Sequence, residues 1–346
     1  MRTILLALLA LAPATLGAQG ASGLLIVLNK AAASASLIDP ATGTTVATLA
    51  TGTGPHEVAV SPDGRWAVVT NYGGGGAGGS TLTVLDVPAR RVARTIDLAP
   101  HRRPHGIAWL PDGRRAAVTS ESSRAVLIVD VEAGTLESAI PTGAQGSHML
   151  ALSPDGRHAY VANIGSGSVT MLDVAADTAL TTTPTGEGAE GIDVSPDGRE
   201  VWVTNREANT VMVLDAATLS VRDTLQSPDF PIRVKLTPDG RHALVSNARS
   251  GTLRIFDTRT RQPVTTIPMT FDSTQTRGTM LGDATGGVPI GILIEPGGRR
   301  AYVANANADV VTVIDLVQRA IAGYLTTGRE PDGLGWVPLP QPQPEP

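Results

Sequence analysis

Three of the six histidines in the 346-residue chain occupy one equivalent position in a sequence that repeats. His56, His105 and His148 each lie six residues before the proline of a Pro-Asp-Gly string. Neutral imidazoles are good ligands for divalent transition metals, and three histidines with one open position form a known catalytic arrangement. The spacing therefore predicts a divalent transition metal at these residues, unless the fold simply tolerates a polar side chain there.

The same position holds carboxylates and isoleucines in the other copies of the repeat. Taken in order around the predicted ring, the set reads Asp332, His56, His105, His148, Glu190, Ile232 and Ile290. Five neighbouring copies thus carry an ionisable side chain. Glu190 and Asp332 are candidate catalytic residues, because a general base must stand beside the water it activates.

The next residue is usually glycine, but three copies depart from this rule with Glu57, Met149 and Arg233. Glu57 is a further candidate base or metal ligand. Arg233 is a candidate clamp for an anionic group, and Ile232 and Ile290 would add an apolar arc to the same ligand site. Alternatively, the side chains of Glu57 and Arg233 point into solvent.

These positions are defined by a repeat that runs along the whole chain. Pro-Asp-Gly or a close variant occurs six times, and the prolines are 49, 43, 42, 42 and 58 residues apart. An apolar run precedes each copy and three β-rich runs follow it, so each unit predicts four short antiparallel strands joined by turns. Four strands in a unit of about 42 residues are typical of a β-propeller blade.

The two ends of the sequence complete one another. Residues 24–49 contain three predicted strands without a first strand, and residues 332–338 contain a first strand without partners. Six internal blades and this shared one predict an all-β, seven-bladed propeller over residues 21–338, closed when the last strand joins the first three. The remaining residues, 339–346, are predicted to form a disordered, proline-rich tail.

Two insertions lengthen loops that are predicted to open on the face carrying the histidines. One is the glycine-rich segment 73–79, and the other lies within residues 269–287. Insertions on one face of a repeat protein usually mark its binding face. Phe271, Met280 and Leu281 in the second insertion are candidates for a lid over the channel, or belong to a mobile loop.

The second strand of most units has a recognisable ending. It reads Tyr-Val-Ala-Asn at 160–163 and 302–305 and Val-Thr-Asn at 203–205, and a Val-x-Val-Leu/Ile-Asp pattern follows. With the Pro-Asp-Gly turns, these motifs resemble the YVTN-repeat family of seven-bladed propellers over nearly the whole chain. That family includes exported proteins of the YncE type and is similar to lactonase propellers, surface-layer propellers and the haem d1 propeller of nitrite reductase. The resemblance implies a scaffold more than an activity.

Composition excludes several classes of protein. The chain has no cysteine, which excludes disulfides, thiolate metal sites, iron–sulfur clusters and covalently attached haem. Its 27 basic and 32 acidic residues give a net charge of −5, which disfavours nucleic acid as a partner. A charged start, an apolar run over residues 4–16 and small residues after it predict a cleaved signal peptide over residues 1–20, and hence a periplasmic or secreted protein. No later apolar run is long enough to span a membrane.

Together these patterns predict an exported, monomeric propeller that binds a small molecule or a partner protein through its histidine-rich rim. The alternative is a lactonase-like, metal-dependent hydrolase. In it, His56, His105 and His148 hold the ion, and Glu57, Glu190 or Asp332 activates water. A redox propeller with one rim histidine as a haem ligand is a third class, and no feature of the sequence demands it.

Overall fold

A computed structural model describes residues 23–76, 78–271, 274–276, 281 and 286–339. The predicted signal peptide, Met280 and nearly all of the predicted tail lie outside these residues. Among the described residues, no helix is long and apolar enough to cross a membrane.

The described chain forms seven four-stranded antiparallel sheets, which confirms the predicted seven-bladed propeller. The first strands of neighbouring blades contact one another all the way round, and they line a central channel. Among the described residues, one 3-10 helical turn, Lys30–Ala32, follows the first strand of the chain. From the channel outward, the strands are β28 (Pro331–Pro338), β1 (Gly23–Asn29), β2 (Ser34–Asp39) and β3 (Thr44–Ala50) in blade 1; β4 (Pro55–Val60), β5 (Trp66–Asn71), β6 (Thr81–Asp86) and β7 (Arg91–Asp97) in blade 2; β8 (Pro104–Trp109), β9 (Arg115–Ser120), β10 (Ala125–Asp130) and β11 (Thr135–Pro141) in blade 3; β12 (Ser147–Leu152), β13 (His158–Asn163), β14 (Ser168–Asp173) and β15 (Thr178–Pro184) in blade 4; β16 (Ala189–Val194), β17 (Glu200–Asn205), β18 (Thr210–Asp215) and β19 (Val221–Gln226) in blade 5; β20 (Pro231–Leu236), β21 (His242–Asn247), β22 (Thr252–Asp257) and β23 (Pro263–Pro268) in blade 6; and β24 (Pro289–Ile294), β25 (Arg300–Asn305), β26 (Val310–Asp315) and β27 (Ala320–Thr326) in blade 7.

Blade 1 closes the ring as the two ends of the sequence predict. Strand β28 pairs with β1 in antiparallel register, from Gly23 opposite Pro338 to Asn29 opposite Pro331. Every residue of β1 is buried. A chain without β28 would therefore expose the buried edge of β1 to solvent.

The hydrophobic core is divided among the interfaces between blades. Seven separate clusters of buried side chains each join two neighbouring blades, and together they run round the ring. Valine, isoleucine and leucine on both faces of the second and third strands supply most of these contacts, because a neighbouring blade covers each face of these strands. The fourth strands consist mostly of exposed and half-buried residues, as expected at the rim of the molecule.

The turns carry the chemistry that the repeat predicts. In the Pro-Asp-Gly turn of blade 2, Asp63 accepts a hydrogen bond from the backbone N–H of Arg65 at 3.0 Å, and Gly64 adopts a φ of 71°. Asp173, at the end of a third strand, accepts backbone hydrogen bonds from Ala175 and Ala176. These aspartates are structural turn residues and lie away from the histidine-bearing rim.

Candidate functional site

A cavity of about 300 Å³ opens at the end of the channel where the inner strands begin. All seven residues of the equivalent position line it, although they come from seven different blades. They are Asp332, His56, His105, His148, Glu190, Ile232 and Ile290. We call this space the mouth cavity.

A bulge aims each of these seven residues at the channel. In every blade, the pairing of the inner strand with its neighbour shifts register at this point, for example between Ser147 and Met149 in blade 4 and between Pro55 and Val58 in blade 2. A bulge leaves one residue out of the hydrogen-bonded ladder and redirects its side chain. The seven bulges therefore place the residues at the mouth cavity instead of in the cores between blades.

Hydrogen bonds between neighbouring blades fix the positions of the histidines along the channel axis. The Thr70 hydroxyl donates to the carbonyl of His105 at 2.8 Å, and the Thr119 hydroxyl donates to the carbonyl of His148 at 2.6 Å. The inner strands also approach closely, because a Cβ on Gly333 would collide with the His56 carbonyl of the next blade. Glycine at this following position thus permits the packing that brings the rim residues together.

The three histidines pack ring against ring. The ring centroids of His105 and His148 are 3.7 Å apart, and those of His56 and His105 are 4.9 Å apart. Tyr72, from the loop after β5, contacts both His56 and His105. The structure thus brings all three predicted histidines together and adds an aromatic neighbour that directly precedes the glycine-rich insertion.

His148 lies between two carboxylates. Its Nδ1 is 2.5 Å from an oxygen of Glu121, and its Nε2 is 3.4 Å from an oxygen of Glu190. Burial alone would lower the pKa of His148, but the hydrogen bond to Glu121 and the charges of the two carboxylates outweigh it and raise that pKa. His148 is therefore favoured as an imidazolium ion.

The other two histidines are favoured in the neutral form. Burial lowers the pKa of His56, and burial together with the nearby positive charge of His148 lowers the pKa of His105 well below its usual value. The Nδ1 atom of His56 is 2.9 Å from the carbonyl oxygen of Gly54. Because a carbonyl can only accept, Nδ1 carries the hydrogen and Nε2 keeps its lone pair.

An ion-pair chain crosses the channel beneath the histidines. Arg233 donates to Glu190 at 3.0 Å and to Glu57, on the opposite side of the ring, at 2.7 Å. Arg206 also donates to Glu190, at 2.7 Å. Glu57 and Arg233 therefore do not point into solvent, and Arg233 holds two carboxylates of the protein itself.

The two carboxylates of this chain differ in electrostatic state. Burial alone would raise the pKa of Glu190, but His148, Arg206 and Arg233 outweigh it and lower that pKa to about 2. Burial raises the pKa of Glu57 in spite of the neighbouring Arg233. Glu190 is thus a fixed negative charge, whereas Glu57 is the carboxyl group more easily protonated.

Lys30 forms a second charged group at the mouth. Its ammonium group lies 2.9 Å from Glu330 and 3.5 Å from Asp332. Burial alone would lower the pKa of Lys30, but the two carboxylates outweigh burial and raise it. Lys30 therefore remains charged and partly neutralises Asp332.

Four polar atoms of residues that line the mouth cavity are buried without a hydrogen-bond partner. They are Nδ1 of His105, Nε2 of His148, Oδ1 of Asp332 and Nε of Arg206. The 3.4 Å separation between His148 Nε2 and Glu190 is too long for a normal N–H···O bond. Buried polar groups nearly always have partners, so atoms left without one at a cavity indicate bound water or ligand.

The residues do not fit a metal centre as they are arranged here. Within the described ranges, no group of three histidine, aspartate or glutamate side chains is placed to hold a metal ion. His105 and His148 stack instead of converging on one point, and Nδ1 of His148 is engaged by Glu121. The predicted metal ion therefore stays a prediction.

Several residues at the mouth share a second equivalent position of the repeat, which was not compared between blades in the sequence. They come directly after the second strand of their blades, one position beyond the recurrent asparagine. Comparing that position between blades, as was done for the histidines, would have found them. The set at this position is Lys30, Tyr72, Glu121, Ile164, Arg206, Ala248 and Ala306.

Comparisons with known proteins agree with this fold. The model of a family described as "Lactonase, 7-bladed beta-propeller" matches residues 29–266. No curated protein matches the chain. Among solved structures, the chain is similar to hydrazine synthase of Kuenenia stuttgartiensis, with 19% identity, a TM-score of 0.70, and coverage of 84% of this chain and 92% of that one. It is also similar to a functionally unknown protein of Desulfotomaculum acetoxidans, with 15% identity, a TM-score of 0.72, and coverage of 91% and 99%. At these identities the two likenesses show the fold alone.

Proposed function

The chain belongs to the lactonase family of seven-bladed β-propellers, and we propose on this basis that its mouth cavity binds a small hydroxy acid or the corresponding lactone. The observation that carries the proposal is the presence of buried atoms without partners at one cavity, among them His105 Nδ1, His148 Nε2 and Asp332 Oδ1. A ligand that satisfies them must carry both an acceptor and a donor.

The protonation states specify which ligand group meets which residue. The imidazolium of His148 offers an N–H at Nε2, which suits a carbonyl or carboxylate oxygen. Asp332 offers an acceptor, which suits a hydroxyl group. A hydroxy acid and its lactone both carry these groups, so both are matched to the cavity.

Calorimetric titration of the protein with gluconate tests the binding. We expect saturable binding that weakens at least tenfold in His105→Phe, which keeps an aromatic ring in the stack but removes the unpartnered nitrogen. The control is His158→Phe, which alters a histidine of β13 far from the mouth cavity. Binding that is equal in both variants and the wild type would place the ligand elsewhere.

Hydrolysis of the lactone is a second candidate function, and the state of His56 favours it. A neutral imidazole with a free Nε2 lone pair at the cavity is suited to be a general base. Nε2 takes a proton from water while the water oxygen bonds to the lactone carbonyl carbon. The ring C–O bond then breaks, and the departing oxygen takes that proton from His56 to complete the hydroxy acid. Positioned acid–base catalysis of this kind is worth about 10²–10⁴ in rate.

Acid release from δ-gluconolactone in a pH-stat tests this candidate. We expect His56→Gln to lower the catalysed rate at least a hundredfold, whereas His158→Gln leaves it unchanged. Equal rates in the two variants would remove His56 from catalysis. Elemental analysis of untagged protein and of a variant with alanine at His56, His105 and His148 tests the metal-dependent alternative: one equivalent of metal, lost in the variant, would restore it.

We further propose that the protein is an exported monomer of the YVTN branch, as its repeat motifs and N-terminal sequence indicate. N-terminal sequencing of protein recovered from outside the cytoplasm tests export, with a start just after residue 18 or 20 expected. The molar mass in solution, measured by light scattering on a sizing column, tests whether the protein is a monomer. A partner protein at the histidine-bearing face stays an alternative to the small ligand.

A further inference from the structure

One wall of the mouth cavity is apolar and belongs to only two neighbouring blades. Phe230 and Ile232 come from the start of β20 in blade 6, and Val288 and Ile290 come from the start of β24 in blade 7. With Ala248, they form a cluster separate from the seven cores between blades, and Leu281 and Ala306 pack against it. This cluster, the apolar wall, is therefore not part of the repeated core of the propeller.

The backbone at the wall is unfavourable for the residues that it carries. The residue just before the inner strand has a left-handed φ in all seven blades, and blades 2, 4 and 5 place glycine there. Blades 6 and 7 place Phe230 at a φ of 64° and Val288 at a φ of 53°. Bulky and β-branched side chains are rarely tolerated in this region, and such strain concentrates at functional sites. The two blades thus accept strain to present apolar side chains to the cavity.

The wall faces the polar side of the cavity. In a ring of seven blades, the blade that carries His105 is three blades away from blade 6 in one direction and three blades away from blade 7 in the other. The unpartnered nitrogen of His105 therefore lies across the channel from the isoleucines. One side of the mouth cavity offers the unpartnered hydrogen-bonding groups, and the apolar wall offers hydrocarbon.

We propose that the ligand of the mouth cavity is amphiphilic: a carboxylate or lactone head at His105 and His148, and an alkyl tail against the apolar wall. This inference rests on the proposed binding function and narrows it. A polyhydroxylated sugar acid would leave hydroxyl groups unpaired against the wall, which weakens binding. Each methylene of an alkyl tail buried there strengthens binding about fourfold.

Calorimetric titration with butanoate, hexanoate, octanoate and gluconate tests the tail. We expect affinity to rise with each added methylene until the wall is covered, and we expect octanoate to bind more tightly than gluconate. Gluconate bound more tightly than octanoate, or an affinity indifferent to chain length, would overturn the amphiphilic ligand and leave the proposed function standing. No binding of any of the four would overturn both.

Variants of the wall separate tail recognition from folding. Val288→Gly removes an apolar side chain and also relieves the left-handed conformation, so we expect it to fold and to lose at least tenfold in affinity for octanoate, more than it loses for gluconate. Ile290→Thr, which keeps the β-branch but shortens the side chain and adds a hydroxyl, should weaken octanoate binding in the same way. Arg90→Gly is the matched control, because Arg90 has a φ of 50° on an outer turn away from the cavity. Unchanged octanoate binding in both wall variants would overturn the proposal.

Discussion

Glu190 is the counter-ion that two neighbouring cations at the channel mouth share. Arg233 and His148 are both buried, and each lies against the same Glu190 oxygen. Glu190→Gln removes the negative charge but keeps the shape, so the cations lose their compensation. We expect a loss of about 3–5 kcal/mol in the free energy of unfolding, measured by urea titration. Glu187→Gln, on an exposed residue of the loop that precedes β16, should change the free energy of unfolding by less than about 0.5 kcal/mol. Equal effects would show that the ion-pair chain does not stabilise the fold.

The titration of the histidines should divide them into two classes. The raised pKa of His148 means that its contribution to stability is present below pH 6.5 and is lost as the pH rises through the folded value. The lowered pKa values of His56 and His105 have the opposite effect on stability. The free energy of unfolding falls as the pH drops below 6.5, because the unfolded state gains protons first. Side-chain nitrogen NMR should show His148 as an imidazolium ion above pH 6.5, where His56 and His105 are neutral. All three titrating together near 6.5 would contradict this electrostatic account.

The residues at the rim show which part of a site a repeated sequence can reveal. Comparing equivalent positions found the histidines, Glu190 and Asp332, because the same bulge recurs in every blade. Their contacts were missed because the partners come from other blades: Glu121 lies 27 residues from His148, and Arg233, although itself a candidate, lies 176 residues from Glu57. Whether such side chains meet depends on their rotamers across the channel, which no spacing specifies.

At the level of the strand, close approach of the inner strands decides which residues are allowed. A Cβ on Gly333 of β28 would collide with the backbone of His56 and Glu57 in β4. Gly333→Ala should therefore cost about 1–3 kcal/mol of stability, as overpacking does. Gly323→Ala in the outer strand β27 is the control, because a Cβ there meets no atom within 4 Å. Thermal unfolding of the two variants measures the difference, and equal melting temperatures would show that the inner strands have room to separate.

The strands themselves were predictable almost to the residue. In blade 4, the sequence predicts strands over 149–152, 158–162, 168–172 and 179–183, and the structure has 147–152, 158–163, 168–173 and 178–184. The repeat supplies several independent copies of each boundary signal, and the turn residues mark where strands end. The apolar wall was only partly anticipated: Ile232 and Ile290 were expected, whereas Phe230 and Val288 occupy a left-handed position that three of the seven blades fill with glycine.

At the level of the whole molecule, the ring depends on one strand from the far end of the chain. Strand β28 pairs with β1 and packs against β4 and β24, so a chain ending at Glu330 lacks the inner strand of blade 1. We expect this truncated protein to aggregate on a sizing column, because the buried edge of β1 is uncovered. Addition of a peptide comprising residues 331–338 should restore part of the soluble monomer. A truncated protein that is monomeric and as stable as the full chain would contradict closure by this strand.

The whole-molecule arrangement also explains why one end of the channel carries the candidate site. The seven residues at the bulges, Leu281 of the long insertion and three of the residues after the second strands line the same cavity, although they are far apart in the sequence. The seven cores between blades hold this end of the channel in place, and the variable residues there differ in charge from blade to blade. A ring of nearly identical blades thus carries one asymmetric site.

The most direct test of this account is side-chain nitrogen NMR of the histidines in the wild-type protein during addition of gluconate and, separately, octanoate. The account predicts that at least one of the two ligands shifts the His105 and His148 signals saturably, while those of His158 and His242 stay in place. Signals of His105 and His148 that do not move with either ligand at saturating concentration would contradict binding at the mouth cavity.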